Sequence, residues 1–239
     1  MSEKGFSLVE LSVVVVIIAL LVAGVSSGEK LLENARLKSV INNIDKTRAA
    51  IASFENIYSQ LPGDIPNAYD YWGSSLSCTN ALALDSDTDG CNGDGDGVIE
   101  NNAAENLLEG IRAWAALTLE GLIKDTLTGD IGVGTYNCNP GVNTLKDGLG
   151  GGITIGGNNT NQLMIGSRVS ANDNCWGEHF TPRQAKIIDA KIDDSSASSG
   201  YVLGQEGNPS GDSVYCLSSG EYKVSENQKA CYLAIDNVY

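Results

Sequence analysis

Histidine is almost absent from this chain of 239 residues. Because His179 is the only histidine, a histidine-based hydrolytic triad or a multi-histidine zinc site would depend on one residue. The GxSxG, HExxH and dinucleotide-binding glycine patterns are also missing from the sequence. These absences favour a protein that is not an enzyme, and we interpret His179 as a structural histidine.

Basic side chains are scarce as well, with 15 Lys and Arg against 30 Asp and Glu. Residues 1–60 hold six acidic and six basic side chains, so the formal net charge of -15 lies wholly in residues 61–239. Such a surface repels nucleic-acid phosphates and favours solubility and cation binding. We therefore expect no nucleic-acid binding by the acidic bulk of the chain.

Long apolar runs are confined to the N-terminus, where Phe6 to Val25 contains one charged residue, Glu10. As a helix this segment spans roughly 30 Å, about the hydrocarbon thickness of a bilayer. An ordinary secretory signal peptide fits poorly, because Glu3 offsets Lys4 and Glu10 interrupts the apolar region. The segment therefore predicts a membrane helix.

The helical pattern continues beyond the apolar run as an amphipathic stalk. A continuous helix from Phe6 to Tyr58 would be about 80 Å long, and Pro62, Gly63 and Pro66 end it. The segment 24–28 is rich in Gly and Ser, which favours either a kink or local melting on assembly, or a flexible juxtamembrane joint. The apolar side chains that predict one buried stripe on the stalk are Leu37, Ile41, Ile44, Ile51, Phe54 and Tyr58.

The octapeptide KGFSLVEL, followed by the apolar run, resembles the prepilin signature of type IV pilins and type II secretion pseudopilins. The resemblance implies that a prepilin peptidase cuts after Gly5 and methylates the new N-terminus at Phe6. It also implies that Glu10 is the glutamate on which assembly depends. The segments LPGD (61–64) and IDAKIDD (188–194) are similar to stretches of larger prepilin-like proteins.

The position of Glu10 has a physical interpretation of its own. A carboxylate near the membrane core costs about 2.5–3.5 kcal/mol on insertion scales, so it needs a partner. Cleavage after Gly5 creates an ammonium group at Phe6, which a neighbouring subunit can bring to Glu10. The alternative is a Glu10 side chain that reaches the membrane interface beside the helix end.

The resemblance implies a division into a leader (1–5), a transmembrane assembly helix (6–28), an amphipathic stalk (29–60) and an acidic globular head (61–239). The precursor would cross the inner membrane once with its head in the periplasm, and would then enter an extracellular or periplasmic filament. Implied partners are pilin-like subunits in a homo- or hetero-polymer, the prepilin peptidase, and a membrane assembly platform with its ATPase. A pilus subunit, a secretion pseudopilin and a membrane-tethered calcium-dependent adhesin remain open as functions.

The expected fold class is α+β, with the long helix packed on a head that contains a small antiparallel sheet and extra helices. Helices are predicted over 102–123 and over 181–194, where Thr181, Pro182 and Gln184 form a helix start. We interpret the acidic end of the second helix, with Asp189, Asp193 and Asp194, as solvated, and a second cation site is the alternative. The glycine-rich segment 150–157 is expected to be a turn, and segments 213–217 and 229–235 to be paired strands.

The acidic segment DSDTDGCNGDGDGVIE, residues 85–100, contains two overlapping frames that resemble the start of a calcium loop. Neither frame has the bidentate Glu that completes such a loop, for which Glu100 or Glu105 would substitute. A solvated acidic turn is the alternative. The predicted calcium ligands are Asp85, Asp87, Asp89, Asn92, Asp94, Asp96 and Glu100.

The even number of cysteines, all located beyond the membrane segment, predicts a disulfide framework in an exported head. Pairing between sequence neighbours would give 78–91, 138–175 and 216–231, although other connectivities remain open. The resemblance to pilins, in which a C-terminal loop closed by a cystine is common, favours the last pair most. The six cysteines are Cys78, Cys91, Cys138, Cys175, Cys216 and Cys231.

Overall fold

A computed structural model describes residues 7–73, 92–102, 107–128, 138–157, 160–169, 174–207 and 215–236. The longest element is helix α1, Leu8–Tyr58, which has 51 residues and no break at the predicted weak point. Its N-cap is Ser7, and it ends where Ser59 adopts a left-handed conformation. The Gly- and Ser-rich segment is thus helical in the single subunit, and a kink or local melting on assembly stays a prediction.

Three further helices and nine strands follow α1 in the described part of the chain. In chain order they are α2 (Ala68–Trp72), β1 (Asn101–Asn102), β2 (Leu107–Leu108), α3 (Glu109–Leu119), β3 (Leu145–Lys146), β4 (Gly152–Ile155), β5 (Leu163–Gly166), α4 (Pro182–Ile192), β6 (Val202–Glu206), β7 (Leu217–Ser218), β8 (Glu221–Tyr222) and β9 (Cys231–Ile235).

The centre of the head is an antiparallel sheet of five strands in the order β3-β4-β5-β9-β6. Helix α3 packs against β4, α4 packs against β6 and β9, and α1 contacts both of these helices. Trp114 of α3 is fully buried and donates a hydrogen bond from Nε1 to the Ile153 carbonyl of β4 at 3.0 Å. The fold class is α+β, as predicted.

Only the C-terminal half of α1 contributes to this core. Its buried residues run from Leu37 to Phe54, with Ile41 and Tyr58 partly buried beside them. From Leu8 to Arg36 every residue of the helix is exposed. The stalk is therefore packed into the head only from Leu37 onward, and the described residues leave the side chains of the helix before Leu37 exposed.

The predicted helix over 102–123 is too long at both ends, because α3 covers only Glu109–Leu119. Asn101 and Asn102 pair with Leu108 and Leu107 as two short strands, so the helix begins only after this pair. Gly110, in the first turn of the helix, is a position where only glycine fits. Its backbone lies so close to the sheet that a Cβ there would be 1.9 Å from the Ile155 carbonyl oxygen. Tertiary packing thus overrides the helical periodicity.

Two predictions about the sheet are also corrected. Strand β9 pairs with β5 and β6 and not with residues 215–217, the described part of the predicted partner segment 213–217, while β7 pairs with β8. The segment predicted as a turn contains β4. There the glycines permit close packing, since a Cβ at Gly152 would be 2.6 Å from Cys175 Sγ.

Two of the predicted disulfides are present in the structure. Cys138 bonds to Cys175, and Cys216 bonds to Cys231. The first disulfide links Cys138, which precedes β3, to Cys175, whose backbone N donates to Thr154 Oγ1 of β4. The second links β9 to the residue directly before β7. The predicted pair 78–91 lies outside the described residues.

The two environments of α1 predict different costs for truncating two of its apolar side chains. Phe54 is 0% exposed, whereas Ile57, one turn later, is 59% exposed. We expect Phe54→Ala to lower the free energy of unfolding by about 3–5 kcal/mol, and Ile57→Ala to change it by less than about 0.5 kcal/mol. Urea unfolding of the full chain in detergent measures both. Equal effects would contradict the packing of the stalk on the head.

Candidate functional site

The start of α1 carries the residue on which the predicted assembly depends. Ser7 N donates a hydrogen bond to Glu10 Oε2 at 2.9 Å, and Ser7 Oγ accepts one from Val9 N at 3.3 Å. This reciprocal arrangement is a capping box, which satisfies two backbone donors at the helix end. Glu10 therefore has a local hydrogen-bond partner, while Gly5 and Phe6 lie outside the described residues.

Around and beyond Glu10 the helix presents apolar side chains on all of its faces. Leu8 is 85% exposed, and none of the most apolar part of α1 is buried. The helix is long and apolar enough to cross a membrane. In water an apolar surface of this extent is unfavourable, so this half of α1 requires lipid or other helices around it.

The described part of the predicted calcium segment is a tight loop in which aspartate side chains accept hydrogen bonds from backbone N–H groups of the same loop. Asp94 Oδ1 accepts from Asp96 N at 3.0 Å, and Asp96 Oδ1 accepts from Val98 N at 2.7 Å. Carboxylate oxygens of Asp94, Asp96 and Glu100 lie within 4.8 Å of one another. Asn92 instead accepts a hydrogen bond from the backbone of α2, at Tyr69 N. The remaining predicted ligands, Asp85, Asp87 and Asp89, lie outside the described residues.

Two buried carboxylates that sequence reasoning missed organise this loop. Asp64 is 2% exposed and accepts from Gly95 N at 2.6 Å and from Gly97 N at 2.9 Å. Glu109 is 0% exposed and accepts from Asp94 N and Glu100 N, both at 3.1 Å. The only sequence signal for either residue was the LPGD segment, which ends at Asp64.

These two carboxylates are close together as well as buried. Oxygens of Asp64, Asp94 and Glu109 lie within 4.8 Å of one another. Burial, opposed by the backbone N–H donors, raises the pKa of Asp64 to about 6 and that of Glu109 to about 8. Burial also lowers the pKa of Arg112, whose Nη1 donates to the Asn92 carbonyl oxygen at 2.7 Å. The loop, α3 and the segment after α1 thus meet around acidic groups.

A third acidic group, at the end of α4, was expected to be solvated. Instead Asp189 is 0% exposed and accepts from Tyr222 Oη at 2.9 Å and from Ser195 N at 3.0 Å. Asp193 Oδ2 accepts from Tyr201 N at 2.5 Å and from Val202 N at 3.0 Å. Asp189 and Asp193 thus join the end of α4 to the neighbouring backbone, so the interpretation as a solvated helix end is wrong for Asp189, whereas Asp194 is exposed. Oxygens of Asp189, Asp193 and Asp194 lie within 4.8 Å of one another, the arrangement that the alternative of a second cation site requires.

His179 is part of a buried hydrogen-bond chain. Its Nε2 lies 2.5 Å from Asp147 Oδ2, and its Nδ1 lies 3.1 Å from Ser167 Oγ. Asp147 Oδ1 in turn accepts from Leu149 N at 2.8 Å and from Gly151 N at 2.9 Å. The imidazole is 2% exposed. Because a substrate would have to reach an imidazole that is enclosed, we interpret this chain as a structural tie between the β3–β4 loop and the segment before α4.

The buried carboxylates predict a pH dependence of stability. Asp64 and Glu109 have a higher pKa in the folded chain than their ordinary values of 3.8 and 4.5. The folded state therefore binds protons more tightly, and the stability from these groups is lost as pH rises towards about 6 and about 8 respectively. We expect Glu109→Gln to flatten this decline between about pH 5 and 8.

Urea unfolding of the full chain across this range measures the effect. Glu221→Gln, at an exposed position on β8, removes one carboxylate outside the cluster and should leave the decline unchanged. An unaltered decline in Glu109→Gln would show that Glu109 does not cause it.

Comparison with known proteins adds one finding to this geometry. Residues 1–26 match the family model described as the prokaryotic N-terminal methylation motif. No curated protein and no solved structure matches the chain. The motif implies processing by a prepilin peptidase and polymerisation with pilin-type subunits in general. The chain therefore carries, at its N-terminus, the signature of type IV pilins and pseudopilins.

Proposed function

We propose that this protein is a structural subunit of a type IV pilus-like filament. In the proposal, a prepilin peptidase cuts after Gly5, Phe6 becomes the methylated N-terminus, and the subunit polymerises through the N-terminal half of α1. The observation that carries the proposal is the exposed apolar helix, which begins beside a single carboxylate, Glu10. Together with the motif at residues 1–26, this helix fits a precursor anchored in the inner membrane.

The environment of Glu10 supports a role in pairing between subunits. Its carboxylate accepts one hydrogen bond, from Ser7 N, and no cation of the described residues forms an ion pair with it. Backbone capping satisfies one acceptor but leaves the charge without a counter-ion. The ammonium group that cleavage creates at Phe6 of a neighbour would supply one, and would fix the axial register of adjacent helices.

A type II secretion pseudopilin is the alternative within the same signature. Residues 61–239 form a head that is large for a main pseudopilin, which favours a pilus subunit or a minor, tip-like subunit. Mass spectrometry of filaments sheared from the cell surface distinguishes these assignments. Recovery of this protein only from a periplasmic secretion complex would contradict the pilus assignment.

The proposal predicts that neutralising Glu10 prevents assembly. In Glu10→Gln the side chain keeps its shape and can still accept from Ser7 N, but it lacks the charge that attracts the Phe6 ammonium group. We expect a loss of filaments of about tenfold or more, since each 1.4 kcal/mol of lost pairing is about a factor of ten. Electron microscopy of sheared material and immunoblotting measure the loss.

Two controls separate assembly from processing and folding. Glu29→Gln makes the same chemical change at an exposed position of α1 beyond the apolar run, and filaments should persist. Mass analysis of the N-terminus of both variants should show a mature chain that begins at methylated Phe6. Normal filaments from Glu10→Gln, or filaments of subunits that retain residues 1–5, would contradict the proposal.

Calcium binding by the acidic loop stays a prediction, as does the adhesin function that depends on it. A calcium ion takes six to eight oxygen ligands, so it would use the oxygens of Asp94, Asp96 and Glu100 more readily than the smaller magnesium ion. We expect calcium to raise the melting temperature of the wild-type chain more than magnesium does, because binding to the folded state alone stabilises it.

The double variant Asp94→Asn, Asp96→Asn tests this prediction, since it removes two charges while each side chain keeps a carbonyl oxygen. We expect the calcium-dependent rise to disappear. Asp45→Asn, at an exposed position of α1, should retain it. A wild-type chain whose melting temperature does not respond to calcium would contradict the prediction.

A further inference from the structure

A groove of about 410 Å³ runs along the outer side of the stalk. Its walls are α1, the turn after α3 and the start of β3. The floor is formed by Ala50, Ile123 and Leu145, which are 4%, 6% and 5% exposed. Ala49 is exposed in the groove. The groove thus combines an apolar floor with small helix residues that leave room for an occupant.

The walls of the groove are held by hydrogen bonds. Asn43 Nδ2 donates to the Lys146 carbonyl oxygen at 3.0 Å, which ties α1 to β3. Thr118 Oγ1 donates to the Asp125 carbonyl oxygen at 3.2 Å, which ties the turn to α3. Leu122 N and Ile123 N both donate to the Leu117 carbonyl oxygen. The groove is therefore a formed surface, which lowers the ordering cost of binding.

The charge of the groove is opposite to that of the chain. Lys46 and Lys124 line it, with Asp125 as its one acidic residue. In the described ranges neither lysine forms an ion pair with a carboxylate. The whole chain has a formal charge of -15, so a net positive groove lies on a strongly acidic protein. Complementary charge steers association and selects partners.

We propose that this groove binds an acidic segment of the head of a second copy of this chain. The two groove lysines are a local electrostatic match for an acidic segment of another copy, which carries 30 acidic side chains against 15 basic ones. The groove also lies on α1, the helix through which the proposed filament assembles, so stacked copies bring a neighbouring head alongside it. The inference therefore rests on the proposed function and names a second contact, between stalk and head, in the same polymer.

Charge reversal at the groove tests the contact. In the double variant Lys46→Glu, Lys124→Glu, two acidic side chains face the acidic head of the neighbour, and we expect filament yield to fall at least about tenfold. Both lysines are exposed, so the fold should be retained. Lys191→Glu, Lys229→Glu makes the same change in charge at two exposed positions outside the groove, and the yield should stay within about twofold of the wild type.

The outcomes separate this inference from the proposed function. If the wild-type chain forms no filaments, the proposed function fails. If wild-type and groove-variant filaments form in equal amounts, the groove proposal is overturned while the filament proposal stands. The melting temperature and the processed N-terminus of each variant are measured alongside, so that a loss caused by misfolding or failed cleavage is recognised.

Photo-crosslinking identifies the occupant directly. Benzoylphenylalanine is placed at position 49, in the groove, and as a control at position 52, an exposed alanine site on the same helix outside it. We expect the probe at position 49 to crosslink to a peptide of the acidic head of a second copy. The yield of that crosslink should be at least about tenfold higher from position 49 than from position 52. A crosslink to a different protein, equal crosslinking at both positions, or no crosslink in intact filaments would overturn the proposal.

Discussion

The structure depends on one continuous helix that occupies two different environments. From Leu37 to Phe54 one stripe of α1 is buried in the head, and that burial fixes the direction of the whole helix. Because no break separates the two halves, the head also determines where the bare apolar segment points. A kinked or unwound joint at residues 24–28 would have uncoupled them. The rigid connection gives every copy the same geometry of anchor and head, which ordered polymerisation requires.

Within the head, carboxylates order the loops by accepting hydrogen bonds from backbone N–H groups. Asp64 and Glu109 each accept two backbone N–H groups from the loop around residues 94–100. Asp193, which is half-buried, does the same for the chain that enters β6. Ionised carboxylates accept stronger hydrogen bonds than neutral groups do, but burial opposes their ionisation. These hydrogen bonds order the loops of the head, and burial raises the pKa of Asp64 and Glu109.

The parts of this protein that sequence predicted are those with a local or periodic cause. The course of α1 follows from a buried stripe at helical spacing, and α4 begins at the predicted Thr181 because its capping box with Gln184 spans only four residues. The apolar start of α1 was also evident from local sequence, and residues 1–26 match the methylation-motif family model. The two described disulfides join the cysteines that are neighbours in sequence.

The parts that sequence did not predict have causes distant in the chain. Asp64 bonds to groups 31 and 33 residues away, and no local pattern marks an aspartate as the centre of a loop. The need for glycine at position 110 depends on a strand 45 residues later, since a Cβ there would meet the Ile155 carbonyl oxygen. The partners of β9 depend on tertiary packing in the same way, since two strands in the tail do not indicate by themselves whether they pair with each other or with β5.

Fold and assembly are also linked by which charged side chains have a partner within the subunit and which do not. The buried carboxylates of the head have backbone donors within the subunit, whereas Glu10, Lys46 and Lys124 form no ion pair in the part of the chain described. These three side chains lie on α1 or on the wall of the groove beside it. The buried carboxylates of the head thus have hydrogen-bond partners within one copy. In the proposed filament, Glu10, Lys46 and Lys124 would pair with charged groups of neighbouring copies, so these are the side chains whose charges polymerisation would satisfy.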